Sequence, residues 1–378
     1  MRMSPRERML VAMTGGTPDR VPCSPDTNWM IPAKHTGRPF WDVFRGGDPP
    51  IWKAYNDYVK ATGLDGFSHH GTYHVPRRAG CEETSEVLER SDERVVVRSV
   101  FRCPAGEVDR RTVFLRDDAP APVRKPITDF AGQIDVLRYM MFGDVEEIDF
   151  TPYRRAREDM GEHGVVGLCM LLPHLIVQLR EPAEASIFDY YDHHDLLATF
   201  MREWEEYLLA IADRIIEDEL APDFVFFPNS GAITMQSPDI CREFTLPALK
   251  SLTAKFKRAG IVTSLHSCGK ERALVEMAAD ETDLDCIDPL EAPPMGDCDL
   301  REVKGRFGAR LALKGNLHTT EVMLRMSPEG VARAAREVLE LGMPGGGFVL
   351  STGDQCGRDT PQANIAALVD VCERYGAY

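Results

Sequence analysis

Short apolar, β-branched runs recur along the chain, with longer stretches of helical composition between them. Gly66-Phe67-Ser68-His69-His70, Gly164-Val165-Val166-Gly167-Leu168 and Asp223-Phe224-Val225-Phe226-Phe227 predict buried strands, as do Ile261-Val262-Thr263, Leu284 to Asp288, Ala309 to Gly315 and Gly347 to Leu350. Arg20 to Asp26 predicts the first strand and its exit. Before it, Ser4 to Met13 predicts a short helix, with Ser4 as N-cap and Pro5 at the first position. Further helices are predicted at Pro49 to Thr62, Asp195 to Asp218 and Ser237 to Gly260.

The pattern changes between about residues 75 and 125. In Arg94-Val95-Val96-Val97-Arg98-Ser99-Val100-Phe101, alternation puts Val95, Val97 and Phe101 on one face and Arg94 and Arg98 on the other. Turn signals at Ser91-Asp92 and Pro104-Ala105-Gly106 bound the run, which predicts inserted β-hairpins. Eight strands alternating with helices around this insertion predict one α/β domain over 1–378, a (β/α)8 TIM barrel. A doubly wound sheet is the alternative, but no G-x-G-x-x-G follows the first strand.

Composition narrows the class of function. The chain has 378 residues, 43% of them hydrophobic, and a net charge of −16. That charge argues against a nucleic-acid partner. No apolar run approaches the roughly 20 residues of a membrane span, and the charged N-terminus does not resemble a signal peptide. Ten Cys with no C-x-x-C and no paired spacing fit a reducing, cytoplasmic setting rather than a disulfide scaffold.

In a barrel the loops after the strands form the working face. His266 and Cys268 leave the fifth predicted strand one residue apart, so in extended backbone both face the same way. An imidazole and a thiol so placed are half a zinc site. Cys356, after the last strand, is the candidate third metal ligand. Glu291, after the sixth strand, is the candidate for the remaining coordination position. Asn229 and Asn316, after the fourth and seventh, are the other candidate catalytic groups. His69, His70, His74, His174, Asp288 and His318 also follow strands, and of the adjacent pair His69 and His70 at most one is expected to face the mouth. Trp29, Phe67 and Met170 are candidate walls of an apolar pocket. The glycine run 345–347 precedes a strand and predicts a turn rather than a phosphate loop.

The sequence resembles the uroporphyrinogen decarboxylase superfamily, within it the zinc-dependent corrinoid methyltransferases. The resemblance rests on Pro5-Arg6-Glu7-Arg8, Thr17-Pro18-Asp19-Arg20-Val21-Pro22 and His266-Ser267-Cys268-Gly269. It continues through Leu290-Glu291-Ala292-Pro293, Met295-Gly296-Asp297, Gly315-Asn316, Gly345 to Phe348 and Cys356. It implies zinc held by His266, Cys268 and Cys356, and methyl transfer between a small methylated substrate or thiol and a corrinoid carried by a partner protein. A methoxy substrate is favoured. The decarboxylase branch carries arginines after the first strand, where this chain reads Pro25-Asp26-Thr27-Asn28-Trp29-Met30. The alternatives are a decarboxylase of that branch and a non-catalytic barrel that binds a corrinoid protein.

Overall fold

A computed structural model describes residues 2–378. Seven parallel strands pair in one sheet: β1 (Gly66–Gly71), β6 (Gly164–Cys169), β7 (Phe224–Pro228), β8 (Thr263–His266), β9 (Cys286–Asp288), β10 (Ala312–Leu317) and β11 (Phe348–Thr352), in that order. Between β1 and β6 a second sheet of four antiparallel strands is inserted: β2 (Glu82–Arg90), β3 (Arg94–Cys103), β4 (Gly106–Leu115) and β5 (Ala121–Arg124). It occupies the predicted hairpin region. Val95, Val97 and Phe101 are buried in β3, while Arg94 is exposed and Arg98 pairs with Glu86 and Asp109.

Alternation along the parallel strands divides the core in two. Phe67, Val165, Phe224, Phe226, Cys286, Ala312 and Val349 pack together on the inner face of the curled sheet. Val166, Leu168, Val225, Phe227, Leu265, Ile287, Leu313, Phe348 and Leu350 point the other way, into the layer beneath the helices. The helix Pro5–Met13 contributes Met9, Ala12 and Met13 to the inner cluster, closing it from below. Ser4 caps this helix and forms a capping box with Glu7.

The first predicted strand is corrected. Val21 to Ser24 is extended but forms only a parallel bridge from Cys23 to Leu350. Pro22 and Pro25 lack the N–H groups a continuous ladder needs. The segment is held at a few points instead: Ser24 N donates to Leu350 O (2.9 Å), Leu350 N to Pro22 O (2.9 Å) and Asp65 N to Cys23 O (3.0 Å).

Asp65 reinforces this junction. Its carboxylate is fully buried and accepts from Arg8 (2.5 Å), Arg20 (2.7 Å) and the Cys23 N–H (2.8 Å). Asp19 holds the other side of Arg8 at 2.7 Å. On the same side of the sheet, Gly347 N donates to Gly16 O at 2.9 Å. Gly346 has φ +75°, and a Cβ there would sit 2.5 Å from Gly16 O, so this turn requires glycine.

Candidate metal centre

The parallel register stacks three inner-face side chains beneath the mouth of the sheet. His266 pairs with Asp288 across β8 and β9, and the Leu313–Ile287 pairing carries Lys314 beside Asp288 across β9 and β10. Lys314 Nζ lies 2.7 Å from Asp288 Oδ2 and 4.7 Å from the Phe67 ring centroid. Asp288 Oδ2 lies 3.4 Å from His266 Nδ1. Burial disfavours the Asp288 charge, but Lys314 and His266 outweigh it and hold the carboxyl well below its usual range. Burial also opposes a charged His266, but Asp288 raises its pKa well above the ordinary imidazole value.

With Nδ1 turned to Asp288, His266 presents Nε2 upward, 3.7 Å from Asp354 Oδ1. One ligand atom each from His266, Cys268 and Asp354 lies within 4.8 Å of the others. Nitrogen, sulfur and oxygen donors from three residues fit a first-row divalent ion with one position left for water or substrate. A carboxylate behind the ligating imidazole is the usual second layer of such a site. The donor set therefore fits zinc, with Asp354 where Cys356 was expected.

Cys356 lies two residues beyond Asp354 but is fully buried, and its N–H donates to Asp26 O at 2.8 Å. Its thiol is pushed up to about 12, chiefly by burial, and lies against the hydroxyls of Thr352 and Thr360. Glu291 accepts from the Gly269 N–H, so it braces the loop that carries Cys268. Asn229 is buried; its N–H donates to His266 O (2.8 Å) and its carbonyl accepts from Ser267 (2.8 Å). Asn316 Nδ2 donates to Leu290 O at 3.0 Å. The three predicted catalytic groups thus lie around the strand exits, outside the group of donor atoms.

His266, Cys268 and Asp354 open into a cavity of about 630 Å³, walled by Trp29, Trp52, His69, His70, Leu171 and Phe226 among others. Both adjacent histidines line it, against expectation. The β1–β6 register slips between Ser68 and Gly71, which breaks the alternation that would have separated them. The His69 ring stacks on Phe226 at 4.3 Å, and His70 Nε2 lies 2.7 Å from Asn28 O. Burial depresses both imidazoles, to about 3 and about 4. His74 instead bridges Asp149 through its backbone, His174 is buried away from the cavity lining, and His318 caps its own helical turn.

Residues 175–375 match the sequence profile of the uroporphyrinogen decarboxylase (URO-D) family. The chain belongs to the URO-D family. A stretch of 77 residues is 34% identical to the uroporphyrinogen decarboxylases of Coxiella burnetii strains Dugway 5J108-111 and RSA 493 / Nine Mile phase I, covering 20% of this chain and 21% of theirs. The match thus spans about a fifth of those relatives' length. A structure described as a methyltransferase from Methanosarcina mazei superposes with a TM-score of 0.65 over 99% of both chains, at 18% identity. That likeness is one of fold. The URO-D match covers the strands and strand-exit loops that carry His266, Cys268, Asp288, Lys314 and Asp354. Among the described residues no helix is long and apolar enough to cross a membrane.

Neither Asp354 nor Lys314 stands out as a site residue in the sequence pattern. A lysine inside the apolar run Ala312-Leu313-Lys314 is nevertheless a usable signal, because a buried ammonium needs a carboxylate partner.

Proposed function

We propose that this protein is a zinc-dependent methyltransferase that moves the methyl group of a small methyl ether to a corrinoid held by a partner protein, with Val21 to Ser24 counted as the eighth stave of a (β/α)8 barrel. The observation that carries it is the His266, Cys268 and Asp354 donor group at the mouth of an apolar, aromatic-walled cavity. The fold neighbour described as a methyltransferase supports the reaction class. When bound, the ion supplies a Lewis acid to the ether oxygen, and the corrinoid supplies the methyl acceptor.

The chain's own residues have three tasks. His266, Cys268 and Asp354 hold the ion. Asp288, kept charged by Lys314, fixes the His266 ring with Nε2 outward. Trp29, Trp52, Phe226 and the uncharged His69 and His70 displace water from around the substrate's apolar part.

The cavity itself disfavours the decarboxylase reading. Among the described residues that line it there is no Arg or Lys, and Asp26 and Asp354 are both acidic. A porphyrinogen with several carboxylates would meet no arginine or lysine along this lining.

Zinc content is measured on the wild type, on His266→Ala/Cys268→Ser, on Asp354→Ala and on Cys356→Ser, with methyl transfer from a panel of methyl ethers to cob(I)alamin. The expected results are one zinc per wild-type chain, none in the double variant, and affinity lowered at least about tenfold in Asp354→Ala. Full zinc retention in the double variant refutes the site. Loss of zinc in Cys356→Ser with retention in Asp354→Ala transfers the third ligand role to Cys356. Efficient uroporphyrinogen turnover refutes the choice of reaction.

A further inference from the structure

Cys81, just before β2, and Cys103, at the end of β3, face each other outside the candidate donor group. Glu82 pairs with Arg102 across β2 and β3, so Cys81, one residue earlier, stands opposite Cys103. The β3–β4 register pairs Cys103 with Gly106 across a two-residue turn. Residues that flank such a turn are hydrogen-bonded to each other. The backbone N–H and C=O of Cys103 therefore point to β4, which makes its opposition to Cys81 the non-hydrogen-bonded kind. In that kind Cα atoms stand about 4.5 Å apart, inside the range a disulfide spans.

Other contacts agree with this closeness. Cys81 N donates to Arg78 O at 3.2 Å rather than across the strands. A Cβ on Gly80 would lie 3.2 Å from Pro104 Cγ, so the turn before Cys81 rests on the turn after Cys103. Both thiols are free and half-buried, and both pack against the main core from the same face of the sheet. The Cys103 thiol donates to Gly106 O at 3.4 Å, and a χ1 rotation frees it. Burial raises the Cys81 pKa and Cys103 adds to this, while the guanidiniums of Arg77 and Arg78 pull the other way.

We propose that Cys81 and Cys103 are a redox-sensitive dithiol that closes to a cross-strand disulfide by exchange with a small-molecule disulfide. One cysteine thiolate attacks a sulfur of the small disulfide, forms a mixed disulfide and expels one small thiolate. The second cysteine thiolate attacks the protein-bound sulfur, forms the Cys81–Cys103 bond and expels the other. Two protein thiols are oxidised, one disulfide is reduced to two thiols, and the protein's two protons pass to them. A partly exposed bridge between neighbouring strands belongs to the labile, regulatory class. It sits at the root of the sheet, beside Arg77, which lines a cavity of about 620 Å³ that shares Leu171 with the cavity of the metal centre.

The full-length protein is reduced, freed of reductant and incubated with oxidised glutathione. Remaining thiols are then alkylated and the peptides mapped. The expected result is a Cys81–Cys103 cross-link within one chain, reversed by dithiothreitol. Cys81→Ser is expected to stop at glutathione on Cys103, and Cys103→Ser at glutathione on Cys81. Wild-type peptides that remain unlinked, or that carry glutathione on both cysteines, overturn the proposal, as does a cross-link between two chains on a non-reducing gel. The wild-type map is decisive even where a serine variant folds poorly.

Discussion

Replacing Asp65 by Asn tests whether the opening motif of the chain is a structural clasp. The carboxylate is fully buried and joins Arg8, Arg20 and the Cys23 amide. Asn keeps the size but removes the charge. Arg8, 2% exposed, would keep Asp19, but Arg20, 12% exposed, would keep only the Val21 carbonyl at 3.0 Å. Removing one partner of a buried ion pair costs about 3–5 kcal/mol. Unfolding entropy of about 2.1 cal/mol/K per residue gives roughly 0.8 kcal/mol/K for 378 residues, so about 4 kcal/mol lowers Tm by roughly 5 °C. Thermal melts by circular dichroism read this directly. Asp57→Asn, which breaks an exposed pair with Lys53, is the control and is expected to change stability by less than about 1 kcal/mol. Adding Arg20→Met to Asp65→Asn removes the stranded guanidinium and is expected to restore part of the loss. A Tm for Asp65→Asn within about 1 °C of wild type, below roughly 1 kcal/mol on the same scale, would refute the clasp.

Three further outcomes follow from the geometry. Lys314→Met leaves the Asp288 carboxylate buried beside His266 alone and is expected to cost about 3–5 kcal/mol in denaturant unfolding, with partial recovery when Asp288→Asn is added. Burial works against the Asp19 charge, but Arg8 and two backbone amides hold its pKa at about 2, so its stabilisation is complete above pH 3.8 and lost as pH falls through 2; Asp19→Asn is expected to flatten the acid-side fall of the urea midpoint in that window. Glu291→Gln keeps an acceptor for the Gly269 N–H, so it is expected to lose about 1 kcal/mol or less and to retain its zinc; complete loss of zinc would restore Glu291 as a ligand.

The fold was legible where the pattern has a single physical cause. The runs at Gly66, Gly164, Phe224 and Phe348 became parallel strands because both of their faces are buried, as in Phe224-Val225-Phe226-Phe227, whose alternate residues feed the two cores, whereas Ile261 and Val262 only lead into β8, which runs on through His266. The inserted sheet was legible for the opposite reason: Arg94 and Arg98 alternate with valines because its faces differ. The first strand was overread. Val21-Pro22-Cys23 looks apolar and extended, but what seats it is not a ladder. It is a carboxylate more than forty residues away, and no local pattern reports that Asp65 will be buried between two arginines.

The candidate metal centre was legible only as far as one strand carries it. His266 and Cys268 come from the same exit, so their spacing alone placed them together. The third candidate donor comes from the loop after β11, at the far end of the sheet order, and there the choice between two residues depends on which way that loop turns. Thr352 decides it in this structure: its hydroxyl accepts from the Asp26 N–H at 3.0 Å and donates to Asp354 O at 2.7 Å, while Cys356 N ties to Asp26 O. These bonds fasten the loop's backbone to the segment after Val21–Ser24, leaving the Asp354 carboxylate at the mouth and the Cys356 thiol inside. The third candidate ligand and the clasp at Asp65 are therefore linked through one stretch of chain, Val21 to Asp26. Loosening that stretch frees the loop to present either donor, so the Asp65→Asn variant is also the background in which Cys356 has its best chance of competing with Asp354 for the ion.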